Sequence, residues 1–339
     1  MLTSTLGRRA MPALALAAGL AACSGQQTAT GGFTPAGANP DAVPSAHQSL
    51  GASAQPDYSA VQIFTANRDN NSVLAFRANS SGDVSPSVTI AGSKTTLGAP
   101  DALALDAAGN IYAANDGANQ VAVFAEDANG DAKPMRMIGG SKSNMGPTEG
   151  ILVDASHDLW VSSYSADDVT EYAPGANGNV APINTIKGSK TKLNSPTGMA
   201  MNANGQLFTA NSGSIVVFAK GSSGNVAPLG VIAGGNTGLS RPFALAFDKL
   251  GRLLVADEGS GVLVFANGAL GNVAPVQKIT GLSYPAGVTA DKDNHIWAAD
   301  FSGNSIKEFA SNASGNATPL RTIAGSKTTL NGANYLAFH

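Results

Sequence analysis

IYAANDGANQVAVF, from Ile111 to Phe124, reads as two short apolar strands around a tight polar turn. Near-copies stand at Ile63 (IFTANRDNNSVLAF), Leu159 (LWVSSYSADDVTEY), Leu207 (LFTANSGSIVVF), Leu253 (LLVADEGSGVLVF) and Ile296 (IWAADFSGNSIKEF). Their starts are 48, 48, 48, 46 and 43 residues apart. A period of this length, built of short strands and turns, indicates a β-propeller with one blade per repeat.

Two further strands flank each pair. Ahead of it lies a run of proline and small apolar residues, as in PDALALD at Pro100, PTEGILVD at Pro147 and PFALAFD at Pro242. Small side chains suit an innermost strand, where blades converge. Turns such as DAAGN (Asp106–Asn110) join it to the pair, with glycine supplying a positive φ. After the pair, an SGNVAP-type turn leads to a fourth strand that opens on Pro86, Pro134, Pro182, Pro228, Pro275 or Pro319. Proline lacks a ladder donor and belongs at an outer edge or a strand start. The third strand always ends in an aromatic residue (Phe76, Phe124, Tyr172, Phe218, Phe265, Phe309), which reads as packing between blades.

The repeat is out of phase with the chain. The folded region opens on a second strand near Val61 and closes on an innermost one, Asn334-Tyr335-Leu336-Ala337-Phe338. The fold class expected is therefore all-β: a six-bladed β-propeller of four-stranded blades over residues 57–339, closed by the C-terminal strand completing the N-terminal blade.

The pattern P-x-G-x-A-x-D-x-x-G-x-L/I-x-V-A-D/N…V-x-V-F resembles the NHL-repeat and gluconolactonase-like propellers over essentially all of residues 57–339. The element GNVAP…I-x-G-S-K-T-x-L is similar to a group of exported bacterial lipoproteins. The resemblance implies a six-bladed ring and, on the gluconolactonase side, a divalent ion held by Glu, Asn and Asp at the channel mouth.

The first residues read as a processing signal. Arg8 and Arg9 precede an apolar stretch from Met11 to Ala22, too short to span a bilayer. Leu20-Ala21-Ala22-Cys23 resembles a bacterial lipobox, which implies cleavage before Cys23 and a lipid on its thiol. Residues 1–22 are then the signal peptide, and residues 23–56, rich in Gly, Ala, Ser, Thr, Gln and Pro, a flexible tether. Cys23 is the single cysteine, so no disulfide framework is available. Ser24, not aspartate, follows it, which favours the outer membrane in a cell with two. The expected setting is the cell envelope, with the membrane as partner through Cys23 and a monomeric ring.

Removal of residues 1–22 leaves 18 basic against 23 acidic residues, a net charge of −5. No basic stripe is present, so nucleic acid is not an expected partner.

Propellers carry their chemistry where the inner strands begin. Alignment of the six blades puts Asp101, Glu149, Thr197, Phe243, Ala286 and Asn334 in one ring there. Asn334, Asp101 and Glu149 come from consecutive blades and offer hard oxygen ligands suited to Ca²⁺ or another divalent cation. The alternative is a solvated polar rim. A second set, Lys94, Lys142, Lys190 and Lys327, recurs in the GSK loops before the inner strands. It could face an anion on the same side of the ring, or be a repeated solubilising residue.

No Ser/His/Asp or Cys/His arrangement marks a nucleophile. His157 and His295 fall in turns, and the repeated turn aspartates, with Asp257 and Asp300, read as structural. So do Trp160 and Trp297. The function expected is a surface-tethered binding module that uses its top face for a protein, carbohydrate or small-molecule ligand, with no catalytic residue assigned. The competing expectation is a divalent-metal-dependent lactonase-like hydrolase or lyase at the channel mouth.

Overall fold

A computed structural model describes residues 60–339. The expected signal peptide, Cys23 and the expected tether lie outside the described residues. Within them the chain forms six four-stranded antiparallel sheets. Blades 2 to 6 each use four consecutive strands, with innermost strands Pro100–Leu105, Thr148–Val153, Met199–Met201, Pro242–Phe247 and Pro285–Ala290.

Blade 1 is made from both ends of the ring. Gln62–Asn67, Ser72–Arg77 and Val88–Ile90 are its outer three strands, and Ala333–Phe338 is its innermost one. The register runs from Ile63 opposite Phe338 to Asn67 opposite Ala333. Beyond it the backbones of Gln62 and His339 exchange both hydrogen bonds, at 2.9 and 3.0 Å. Phe338 packs edge-on against Trp297 of blade 6, with ring centroids 5.6 Å apart. The closing strand thus joins its own sheet by hydrogen bonds and the neighbouring one by apolar contact.

The aromatic at the end of each third strand is buried in every blade; five are fully inaccessible and Phe309 is 2% exposed. Tyr172 alone has a hydroxyl to satisfy. It donates to the Ser143 carbonyl and accepts from Thr170 Oγ1.

A second device couples the blades at their outer edge. The SGN-type turn of each blade reaches back and adds one parallel bridge to the outer strand of the blade before it: Gly130 to Ile90, Gly178 to Ile138, Gly224 to Ile186, Gly271 to Ile232, Gly315 to Ile279, and Gly82 to Ile323 across the closure. The turn needs glycine because its backbone is left-handed, φ 65° at Gly130. The residue after the glycine completes the joint. Asp131 Oδ1 accepts the Lys94 N–H at 2.7 Å, and Asn179, Asn225, Asn272 and Asp83 do the same for Lys142, Lys190, Asn236 and Lys327. Part of each outer edge is therefore occupied, which removes a template for strand addition.

The outer strands begin two residues later than their prolines indicated, at Val88 rather than Pro86 and at Arg136 rather than Pro134. The residue after each proline makes the first bond, as Ser87 N–H does to the Ala75 carbonyl at 2.8 Å. Regular pairing then starts one residue further on.

Candidate functional site: the channel mouth

Inner strands begin at the mouth, and five of them carry a slip of one residue close to that start, at Asp101, Glu149, Phe243, Ala286 and Tyr335. A bulge re-aims the extra side chain out of the pleat. In this ring that puts Asp101, Glu149 and Phe243 on the wall of an axial cavity of about 240 Å³, together with Asn334, Arg68, Arg241, Tyr284 and Phe301. In the closing strand the slip falls one residue later than elsewhere. Asn334 stays paired with Ala66, and Tyr335 becomes the extra residue, with φ 44°.

Tyr335 packs against Phe243 of this wall, with ring centroids 5.7 Å apart. Its hydroxyl donates to the Glu149 carbonyl oxygen at 2.7 Å, and the Phe243 carbonyl lies 3.4 Å away. Blades 1, 3 and 5 are thereby tied across the axis. Tyr335 itself lines a separate cavity of about 200 Å³, with Leu103, Ile151, Met199, Leu245, Val288 and Leu336 among its neighbours there.

The charged groups are arranged in pairs with acids in excess. Arg68, in the 3-10 turn Arg68–Asn70, donates from Nε to Asp101 Oδ1 at 2.6 Å. Asn334 Nδ2 donates to the same oxygen at 3.0 Å, while Asn334 Oδ1 is buried without a partner. Arg241 pairs with Glu258 at 2.8 Å. Asp116, in the matching 3-10 turn of blade 2, adds negative charge beside Asp101 and Glu149 and has a buried oxygen with no partner. Burial pushes the Glu149 carboxyl up to about 7, helped by the charges of Asp101 and Asp116 and opposed by Arg68 and Arg241. Burial raises Asp101 to about 6 against the pull of Arg68.

Asp101, Glu149 and Asn334 thus converge as their spacing indicated. The lysines do not join them. Lys94, Lys142, Lys190 and Lys327 are exposed, and none lines the mouth cavity. What the repeat holds fixed is their backbone N–H, since Asn236 makes the same bond in blade 4. Lys94 Nζ lies 4.0 Å from Asp131 at the outer joint.

As divalent-ion ligands the mouth oxygens are a partial fit. Among the described residues the Glu149 carboxylate and Asn334 Oδ1 have no hydrogen-bond partner, and Oδ1 is buried. Asp101 Oδ1 already accepts from a guanidinium and an amide, and calcium asks for roughly six to eight oxygens. A bare divalent ion would meet the Arg68 charge at that point.

Four residues lining the mouth were not foreseen, Arg68, Arg241, Tyr284 and Phe301, nor was the nearby charge of Asp116. They share a signal. The residue after each second strand reads Arg68, Asp116, Tyr164, Ser212, Glu258 and Phe301, and the residue before each inner strand is equally mixed. Columns that vary among columns that repeat mark surfaces released from architecture.

Elsewhere the structural assignments are seen directly. Asp106, Asp154, Asp248 and Asp291 accept backbone N–H groups two and four residues on, as turn residues do. Trp160 and Trp297 donate from Nε1 to Asp154 and Asp291 at 3.1 and 3.2 Å. Asp257 and Asp300 accept from the loops that precede the inner strands, as Asn67 and Asn115 do in blades 1 and 2. His295 belongs to more than a turn: its Nδ1 lies 3.1 Å from both Asp291 and Glu308, and Arg321 pairs with Glu308. A second acidic group, Asp154, Asp158 and Glu171, sits at the corresponding place in blade 3.

The chain is a six-bladed β-propeller, and its residues 282–309, running through the first three strands of blade 6, match the NHL repeat. No curated protein matches the sequence. Among solved structures, a chain of a nidogen/laminin complex is similar at 16% identity and TM-score 0.60, over 82% of this chain and 98% of that one. A Bacteroides caccae protein of unknown function is similar at 11% identity and TM-score 0.59, over 82% and 98%. A streptogramin B lyase is similar at 13% identity and TM-score 0.53, over 78% and 80%. At these identities the likeness is one of fold.

Proposed function

We propose that this protein is a ligand-binding module of the cell envelope, tethered through a lipid on Cys23, which captures a small molecule or the end of a larger one at the channel mouth. The observation that carries the proposal is the convergence at one cavity of charged and aromatic side chains from blades 1, 2, 3, 5 and 6. Ligand sites are concave, largely preformed, and carry a few polar groups among apolar ones. A concave mouth on a closed ring suits capture, and a monomeric ring leaves the mouth free. One of the similar folds comes from a complex between proteins, which is in keeping with a propeller used for binding.

The test is a ligand screen on the full chain by thermal shift, followed by Arg241→Ala and Phe301→Ala. Hits that keep their affinity in both variants would place binding elsewhere and end this proposal. Tethering is tested separately: Cys23→Ser should move the protein from the membrane fraction to the soluble one, and an unchanged distribution removes the anchor.

A second reading, a divalent-metal-dependent lactonase-like hydrolase or lyase, draws on the unpartnered Asn334 Oδ1 beside Glu149 and on the lyase among the similar folds. Calorimetry with Ca²⁺, Mn²⁺ and Zn²⁺ separates the two. Stoichiometric uptake lost in Asp101→Ala and Glu149→Ala would favour the enzyme; no uptake at millimolar ion would dismiss it.

A further inference from the structure

The charge pattern at the mouth narrows the ligand, given that the mouth is the binding site. Each arginine there has its acid: Arg68 lies against Asp101 at 2.6 Å and Asp69 at 3.6 Å, and Arg241 against Glu258 at 2.8 Å. Glu149 has no ion pair or hydrogen bond to its carboxylate among the described residues, and Asp116 leaves a buried oxygen without a partner. The unmatched charge is therefore negative.

Asn334 adds an independent sign. It is 2% exposed, and its Oδ1 has no donor. Its orientation is fixed, because a flipped amide would set two acceptors against each other at Asp101, where Nδ2 now donates at 3.0 Å. A buried acceptor without a donor is costly to keep, and in a cavity that also carries an unpaired carboxylate it asks for a ligand rich in N–H. The rest of the wall is aromatic: Phe243, Tyr284 and Phe301, the last two with centroids 5.5 Å apart.

We propose that the mouth takes an organic cation, a primary ammonium group held between the Glu149 carboxylate and Asn334 Oδ1 with its hydrocarbon body against Phe243, Tyr284 and Phe301. An ammonium brings three donors and no acceptor, which matches a set of free acceptors. Aromatic faces attract a cation and also cover apolar carbon. A carboxylate ligand is disfavoured, because the charge of each guanidinium is already offset by an acid. A divalent ion is disfavoured by Arg68 on Asp101 and gains nothing from the rings.

The full chain is titrated by NMR with benzylammonium, its neutral isostere benzyl alcohol, and benzoate. Benzylammonium should bind at least about tenfold more tightly than the alcohol. Glu149→Gln should erase that difference and leave the weak binding of the alcohol in place. Equal affinity for amine and alcohol, tighter binding of benzoate, or no binding of the amine at millimolar concentration would each overturn the cation proposal. If alcohol or benzoate binds and Phe301→Ala weakens it, the mouth remains the binding site and only the charge assignment fails. If the amine binds unchanged in both Glu149→Gln and Phe301→Ala, the mouth itself is the wrong site.

Discussion

Tyr335 donates its hydroxyl to the carbonyl oxygen of Glu149, 2.7 Å away across the axis of the ring. The Glu149 side chain lines the mouth, so one residue supplies both the acceptor of this bond and the site's free acid. Tyr335→Phe should leave that carbonyl without a donor and cost about 1 kcal/mol. Calorimetry should show a melting point lower by a few degrees with the fold intact. An unchanged melting point would mean the axial bond adds nothing.

Glu149→Gln should stabilise the protein, and by an amount that depends on pH. The carboxyl is raised in the folded state, from 4.5 to about 7. Its contribution is complete below the unfolded value and is lost as pH rises through about 7. The neutral amide escapes that loss. Discounted for its partial exposure, the gain at pH 8 should be about 1–3 kcal/mol and should vanish near pH 4. Melting curves across that range check it; a gain independent of pH would remove the electrostatic cause. A residue that lowers stability where it stands is what a binding site retains for its ligand.

The outer joint predicts a contrast between two partners. Asp131→Ala removes the acceptor of the Lys94 N–H and should cost about 1 kcal/mol. Lys94→Ala keeps that N–H and trims a side chain that is 71% exposed, so it should stay within about 0.5 kcal/mol. Asp131→Asn should be neutral, since asparagine does this work at 179, 225 and 272. Denaturant titration of the three variants decides, and equal effects of Asp131→Ala and Lys94→Ala would refute the clamp.

Ending the chain before Ala333 should be far more damaging than any of these. It deletes the innermost strand of blade 1 and exposes Ile63, Leu74 and Trp297, all at most 1% accessible. Domains of this kind are stable by only about 5–15 kcal/mol, so the truncated chain should lose cooperative unfolding. Limited proteolysis should then cut first within residues 62–90; a truncated protein that melts as sharply as the intact one would contradict closure by this strand.

The ring was legible in the sequence because period, proline placement and terminal phase are architectural signals, repeated six times and hence averaged over noise. Asp101, Glu149 and Asn334 were legible because a common position on an inner strand is a common place in space. The arginines, Asp116, Tyr284 and Phe301 were not, because they sit in turns where no repeat rule says which way a long side chain leans. The bond across the axis was hidden for a different reason. Tyr335 crosses the axis only because the slip in the last strand falls one residue late, and a shift in pairing leaves no mark on composition. At the GSK loops the feature common to Lys94, Lys142, Lys190, Asn236 and Lys327 is a backbone hydrogen bond, which the recurrence of lysine did not reveal.

The paired backbones of Gln62 and His339 carry one more implication. Where the polypeptide is severed is immaterial to a circle whose joints are alike. Linking position 339 to position 62 and reopening the chain inside a GSK loop, between Ser189 and Lys190 for example, should yield a circular permutant with the same fold and the same pocket.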